Sequence, residues 1–573
     1  MSASAPPPHR RIEKVAVVGS GLAGLTAAYL LSHAHKRADV AFEEGPVEFE
    51  VHIFEKAESL GMDSHSVSLS LPGRVEEWRV DVPMRSFQGG YYPQLIALYK
   101  HLGVSFRHAD FSYSFSYLKS LPSSFEFSSS KPSPSAVALN PTIVYNGASG
   151  RSGISVPTTL TQCYTSFAPY TLSRAFAKVS FYLTFTLSLI ALFYNFLRLQ
   201  LLATPLLRGP AAHTLSWAEW SEHATPRGVL ARMLGLDVRW RAFISDICGP
   251  LFSAVCTAAR EDVDTHPAEE FLDFVWKTFL THHYVVSHGV RDVVARLTAE
   301  LPATQVHLGA PTTKLLPDRT RPGLVSIVCS PTSGAAEQVT TGFSHVIFAT
   351  QANHAAPLVA AYARALYASA ELIPAHHAIK LSTCLAQFEY RQTIVVNHTD
   401  ASLLPADARD RRDLNLVTAL PSACPPPSEK SANETPSLLV PPTYAMTTHM
   451  LPRPHAYADA PDAIFQTTNP IVAPRAGSVL SVARLERALL TRAGKAAVGL
   501  LSAPEHEDTD AVGVLQGAAR REMGGARAAG LWAVGAYAYH GIPLLEGCVA
   551  GAREVVERGV IGCEGGKVTG APW

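Results

Sequence analysis

The sequence predicts an α/β protein: a Rossmann-like dinucleotide-binding domain, with a parallel sheet and a β-meander, carrying an inserted α+β substrate domain. Three observations predict it. Val15-Ala-Val-Val18 is an apolar run that reads as a buried parallel strand. Gly19, Gly21 and Gly24 follow at G-x-G-x-x-G spacing, and Leu22 to Leu31 has helix-forming composition with no Pro. More than five hundred residues later, Leu531 to Ala536 reads as another buried strand, with a helix expected from Gly547 to Arg558.

Each glycine has a physical task. Gly19 permits the tight turn, Gly21 lets a diphosphate approach the backbone, and Gly24 lets helix and strand pack closely. The helix start offers free N–H groups and a partial positive charge. Glu48 to Phe54 alternates like a second strand, and Glu55 ends it, where an acid binds ribose hydroxyls. The gap from Gly21 to Glu55 exceeds the usual spacing of about 20 residues, and Arg37 to Gly45 reads as a polar insertion that costs little.

Composition narrows the class. A chain of 573 residues is too long for one simple core. Its 48 basic and 48 acidic residues cancel, and no basic block occurs, which argues against a nucleic-acid partner. The eight cysteines are scattered and none forms C-x-x-C, so neither a zinc site nor a disulfide scaffold is indicated. His282, His283 and His288 do not converge on one ion if they lie on a strand, so no metal is expected. The N-terminus has no apolar signal core, and an intracellular, cytoplasmic setting is the default expectation. The sequons at Asn397 and Asn433 carry no weight in that setting.

In chain order, Pro93 starts a helix that Gly103 ends. Phe111 to Leu118 and Pro141 to Tyr145 read as strands, and Ser123 to Ser135 as a Ser/Pro-rich loop. Phe271 to Thr281 is a helix, His282 to Val290 a strand and turn, and Arg291 to Leu301 a helix. Val306–Leu308, Lys314–Leu316 and Gly323–Cys329 suggest the meander. His345 to Phe348 is a buried strand ending in the small-residue turn Ala349-Thr350. Leu381 to Val396 and Tyr444 to Met450 read as strands, Val479 to Ala493 as a helix, Glu505 to Asp510 as an acidic loop, and 421–440 as a Pro-rich disordered insertion.

Val179 to Leu197 contains 19 residues without a charge, enough to span a bilayer. If one site needs both chain ends, both lie on one side of any membrane, and a single span between them would separate them. The stretch is therefore a buried helix or one lying in the membrane interface.

Several stretches together resemble the flavin-containing amine oxidase superfamily, and more closely a branch of predicted NAD/FAD-binding oxidoreductases. They are VVGSGLAGLTAA at the start, VDVPMRSFQGGYYPQLIALYKHLGV at 80–104, TLSWAEW at 214–220, THHYVVSHGVRDVVARL at 281–297, HVIFATQANHAAPLV at 345–359, NHTDASLLP at 397–405 and WAVGAYAYHGIPLLEGCVAGA at 532–552. The resemblance implies FAD as cofactor. It divides the chain into FAD-binding parts 11–95, 285–350 and 525–573, a cap region 96–284 and a substrate region 351–524. Gly19, Ser20, Gly21, Ala23 and Gly24 would hold the diphosphate and Glu55 the ribose. Met84, Arg85 and Ser86 would lie near the isoalloxazine, with Ala349 and Thr350 on the second contact strand. Gly535 would approach the ribityl end. Ile542, Leu544 and Leu545 would bring backbone N–H groups to the flavin pyrimidine. Two departures stand out: Gly61-Met-Asp-Ser-His65 has one glycine where the superfamily has a pair, and Leu544 stands where amine oxidases carry an aromatic cage residue.

Arg85, Tyr537, Tyr539 and His540 are the substrate-facing candidates, and Cys548 reads as a core filler or a flavin tether. The implied activity is FAD-dependent hydride removal from an apolar small molecule, amine or lipid-like. The alternatives are redox-neutral isomerisation or desaturation of a lipid or isoprenoid, and a non-catalytic flavin-binding protein at a membrane surface. The possible membrane contact is 179–197.

Overall fold

The computed structural model describes residues 11–573 except 44, 64–65, 70–76, 120–138, 166–170, 333, 335, 421–437, 455–456, 458–462, 503–511 and 525–526. His65, the Ser/Pro-rich loop, the acidic loop and the Pro-rich insertion up to 437 lie outside the described residues, as does Asn433.

A five-stranded parallel sheet organises the fold. Its order is Val306–His307, Val47–Phe54, Arg11–Val18, His345–Phe348, Gly530–Ala533. The first strand lies between one that follows it closely and one more than three hundred residues away. The loop after it therefore opens at the crevice where strand order reverses, where α/β sheets bind ligands. Val15, Val17 and Ile53 are fully buried, as strands covered on both faces require. The loop helix, Leu22–His33, covers one face and packs on the closing helix, Leu545–Glu554. The polar insertion is not idle: Val40–Phe42 inside it pairs antiparallel with Gly566–Val568, fastening the first unit to the chain end.

The second large sheet has eight strands, in the order Ile154–Ser155, Leu139–Tyr145, Tyr113–Leu118, Leu414–Ala419, Met446–Met450, Phe465–Thr468, Glu389–His398, Val479–Leu489. All neighbours are antiparallel except Tyr113–Leu118 with Leu414–Ala419. Segments on both sides of the second parallel-sheet segment thus share one sheet.

Three expectations are corrected. Val479–Leu489 is an edge strand, not a helix, paired along its length with Glu389–His398. Its Leu, Arg, Glu and Ala favour helix, but alternate burial on a partner strand overrides that propensity. Leu381–Leu385 ends the helix Leu372–Leu385 instead of beginning a strand. In the meander, Val306–His307 joins the parallel sheet, and the three-stranded unit is Thr312–Pro317, Val325–Cys329 and Gln338–Phe343.

The apolar stretch 179–197 belongs to a long helix, Leu172–Ala203, of 32 residues, about 48 Å at 1.5 Å per residue. The buried alternative is overturned: none of its most apolar eighteen-residue window is buried. Leu172, Phe176, Val179, Leu183, Leu187, Ile190, Phe193, Leu197 and Leu201 form an exposed stripe at helical spacing, with Phe176 77% and Val179 67% exposed. The opposite face, through Phe181, Phe185, Asn195 and Leu199, is progressively covered. Asn195 Nδ2 donates to Arg239 O (3.2 Å) and Arg198 Nη2 to Ala224 O (2.6 Å), tying down the last turns. At the other end lies Thr158–Thr165, which packs beside the long helix and is fixed by Thr158 Oγ donating to Asp410 (2.6 Å). Leu206, Leu207, Val229, Leu230 and Met233 are also exposed apolar residues.

Candidate functional site

The glycine loop is shaped by close approach. Gly19 has φ +99°, and a Cβ on it would lie 2.9 Å from Ala349 O; its N–H donates to Phe54 O at 2.8 Å. A Cβ on Gly24 would meet Gly19 O at 2.2 Å, so helix and turn touch only because none is there. A Cβ on Gly21 would meet nothing within 4 Å. Gly21 caps the loop helix without a side-chain hydrogen bond, so first-turn N–H groups face that open side. This is the cradle a diphosphate needs, and the residues present fit a dinucleotide.

Glu55 faces the same loop. Its Oε2 accepts from Ser20 N–H (2.9 Å) and Oγ–H (2.6 Å), and its Oε1 from Ala57 N–H (2.9 Å). A carboxylate has about four acceptor positions, which leaves one for a ribose hydroxyl. Gly61 N–H donates to Ser20 Oγ at 2.8 Å, and a Cβ on Gly61 would meet Ser20 O at 2.4 Å. The one glycine that remains of the usual pair packs directly on the loop.

Ala349 and Thr350 leave the His345–Phe348 strand against Gly19. Ala349 N–H donates to Val18 O (2.8 Å), and the buried Thr350 Oγ1 has no partner. Val534 N–H donates to Phe348 O (2.9 Å), bringing Gly535 to the same edge. The chain then turns through Ile542 and Leu544 into the closing helix. Here an expectation fails: Ile542 N–H donates to Tyr91 Oη at 2.9 Å and is not offered to a cofactor. The expectation fails for Leu544 as well, whose N–H donates to Ile542 O at 2.6 Å; Leu545 remains at the start of the helix that Leu544 caps. Glu546 instead caps the helix Pro93–His101, accepting from Gln94 (2.9 Å) and Leu95 (3.0 Å) N–H groups. Burial nevertheless pushes its carboxyl up to about 7.

Met84 N–H donates to Gln466 Oε1 (2.8 Å), and Ser86 begins a strand paired with His283–Val286. Arg85 between them is desolvated; burial lowers its guanidinium, with Tyr99, Asp81 and Cys548 opposing. Arg487, on the edge strand, is pushed down to about 10, by burial first and then by Arg85. Both Nε atoms are sealed and lack partners. Arg487 lines a cavity with Cys256, His266, Phe271, Ile542 and Leu544. His266 stacks on Phe271 (4.1 Å), its Nδ1 lies 3.1 Å from Pro267 O, and its buried Nε2 has no partner. Burial pushes it down to about 4, so it is neutral near pH 7. Sequence reading missed Arg487 and His266. Alternation along the strand could have exposed Arg487; no local pattern marks His266.

The substrate-facing candidates separate. Tyr537 is corrected: it is 2% exposed, in the core behind the sheet, with its ring 5.0 Å from Phe388. Tyr539 leans on Gly547 and Gly551 of the closing helix, and its ring lies 5.7 Å from His540. Cys548 is pushed up to about 11 by burial, against the pull of the Ala536 and Ala23 N–H groups, and is a thiol. His283 and His288 do not join His282, but the ligand atoms of His108, Asp110 and His282 lie within 4.8 Å of one another. Asp110 already binds His282 Nδ1 (2.7 Å) and His283 N–H (3.0 Å), which accounts for that group without an ion.

Comparison with curated proteins finds no match. Among solved structures, a provisionally named protoporphyrinogen oxidase from an Exiguobacterium species is 13% identical, covering 95% of this chain and 98% of that one with a TM-score of 0.48. Cyclohexylamine oxidase from Brevibacterium oxydans is 10% identical, covering 95% and 98%, with a TM-score of 0.45. An oxidoreductase from Methanosarcina mazei is 13% identical, covering 95% and 99%, with a TM-score of 0.46. The family model described as an NAD(P)-binding Rossmann-like domain matches residues 17–102. With the parallel sheet and the glycine loop, that match makes the N-terminal unit of this chain a Rossmann-like domain.

Proposed function

We propose that the protein is an FAD-dependent oxidoreductase that removes a hydride from an apolar, amine or lipid-like substrate. The observation that carries this reading is the convergence of both chain ends on one edge. Gly19–Gly24 and Gly535–Leu545 meet at the carboxyl end of the parallel sheet, with the starts of two packed helices beside them. The resemblance of both segments to the flavin-containing amine oxidases supports FAD as the dinucleotide. When bound, FAD supplies the hydride acceptor, and the chain's task is to position and desolvate. In this reading Gly21 admits the diphosphate, Glu55 uses its remaining acceptor position for a ribose hydroxyl, and the apolar cavity wall of Phe271, Ile542 and Leu544 excludes water. His266, neutral and with a bare Nε2, is a proton acceptor available in that wall.

The long helix supports a membrane-surface setting for the same enzyme. Its apolar stripe is exposed, its opposite face is partly covered, and its last turns are tied to the body. This suits a helix lying in an interface plane, not one crossing it. An enzyme seated there would draw an apolar substrate from lipid.

Purified protein is titrated with FAD, then mixed without oxygen with amines, fatty acyl compounds and isoprenoids. The expected result is stoichiometric flavin binding and bleaching of the oxidised flavin by one class. Protein that binds no flavin at any concentration contradicts the reading.

A further inference from the structure

We propose that Arg85 and Arg487 form a half-buried receptor for an oxyanion, a carboxylate or phosphate group, beside the first turn of the loop helix. The proposal rests on the reading of this edge as a ligand site and names the chemistry it receives.

The two residues are four hundred positions apart and reach the site from different elements. Arg85 precedes the strand Ser86–Gln88, and Arg487 lies near the end of the edge strand. Each has a sealed Nε with no partner. Neither guanidinium makes an ion pair or hydrogen bond with any described residue. Arg520 shows what a structural arginine looks like here: it is 2% exposed, where Arg85 and Arg487 are half-buried, and it is bound to Glu564 at 2.6 Å and to Ala528 O at 3.2 Å.

The surroundings do not supply the missing charge. Arg85 repels Arg487, and the other main influences on Arg487 are Cys548, Tyr92 and Cys256, all neutral near pH 7. Asp81 acts on Arg85 only at a distance, and both its oxygens take the Val290 N–H at 3.2 Å. Both arginines feel Cys548, whose thiol is also within the influence of the Ala23 N–H. That ties the pair to the start of the loop helix, where the dipole adds to the positive potential. A charge taken from water without a partner is costly, and a pair of like charges more so. Guanidinium forks satisfy carboxylate or phosphate oxygens two at a time, which settles the ligand's chemistry.

One ligand chemistry has two sources: the acidic head of an apolar substrate, or a phosphate of the dinucleotide. The experiment separates them. In one arm, FAD-free wild type, Arg487→Met and Arg487→Lys are titrated with FAD by flavin fluorescence. In the other, FAD-loaded wild type is titrated with decanoate and, separately, decanamide, reading the flavin absorption spectrum and the melting temperature. If the substrate head is the source, decanoate acts at least about tenfold below decanamide, the preference disappears in Arg487→Met, and FAD affinity holds. If a phosphate is the source, Arg487→Met weakens FAD by about tenfold or more, Arg487→Lys recovers part of it, and decanoate and decanamide behave alike. Unchanged FAD affinity together with equal responses to acid and amide overturns the proposal. Should Arg487→Met fail to fold, Arg487→Lys and the wild-type acid-against-amide comparison still decide it. Should wild type bind no flavin, the proposed function falls, while the melting shift with decanoate still reads this site.

Discussion

The two ends of the parallel sheet treat buried charge in opposite ways. At the amino end, Glu564 Oε1 accepts from His345 Nε2 (2.9 Å) and Arg520 (2.6 Å), and its Oε2 from Arg11 (2.6 Å). His345 Nδ1 in turn accepts from Trp532 Nε1 at 3.0 Å. His345, Arg520, Trp532 and Glu564 are nearly inaccessible, and their bonding is complete. At the carboxyl end, Arg85 Nε, Arg487 Nε, His266 Nε2 and Thr350 Oγ1 are sealed and unpartnered. Proteins pair almost all their buried polar groups. One end of the sheet is therefore finished as a scaffold, and the other is arranged to receive something. This separates structural from functional charge without reference to the chemistry performed.

The largest effect is expected where a completed network is broken. Glu564→Ala leaves Arg520 and His345 buried without their acceptor and lowers stability by about 3–5 kcal/mol, measured by denaturant unfolding. FAD affinity of the folded variant is unchanged. Gly24→Ala, at the other end, places a methyl 2.2 Å from Gly19 O. It costs about 1–3 kcal/mol by overpacking and weakens FAD by widening the loop. Arg487→Met sharpens the comparison because its sign reverses. Replacing an unpartnered, half-buried charge by an apolar side chain of similar volume raises the stability of the FAD-free protein by up to about 1 kcal/mol. A destabilisation instead would make Arg487 a structural residue like Arg520.

The two ends also differ in a pair of opposed pH dependences. Burial alone would raise the Glu564 carboxyl, but His345 and Arg520 hold it down to about 2. Its folded value lies below the unfolded one, so its contribution is present above ordinary carboxylate values and lost as pH falls towards 2. Glu546, raised by burial to about 7, behaves inversely: its contribution is present below ordinary carboxylate values and lost as pH rises through 7. Glu564→Gln should flatten the acid side of the stability curve, and Glu546→Gln the loss of stability as pH rises from about 5 to about 7, by about 1–2 kcal/mol.

What the sequence disclosed follows from how local each signal is. The glycine loop was legible because strand, turn and helix start occupy consecutive residues and each glycine has a steric reason. The strand before Glu55 and the strand Gly530–Ala533 were legible as apolar or alternating runs. Arg487 was not, because residues 479–489 carry helix-forming side chains and become a strand only through pairing with 389–398. Tyr537 and Ile542 lie in a legible motif, yet their orientation is set by Phe388 and Tyr91, which no local pattern predicts. The long helix was legible in length and apolarity. Its exposure was not, since an apolar helix suits a core and an interface equally.

The contrast between the two ends is tested most directly by hydrogen exchange with and without FAD. FAD should slow exchange at residues 19–25 and 544–548, at the carboxyl end, and leave 343–346 and 518–523, at the amino end, unchanged. Protection confined to the amino end, or absent from the glycine loop while FAD is bound, would contradict the account.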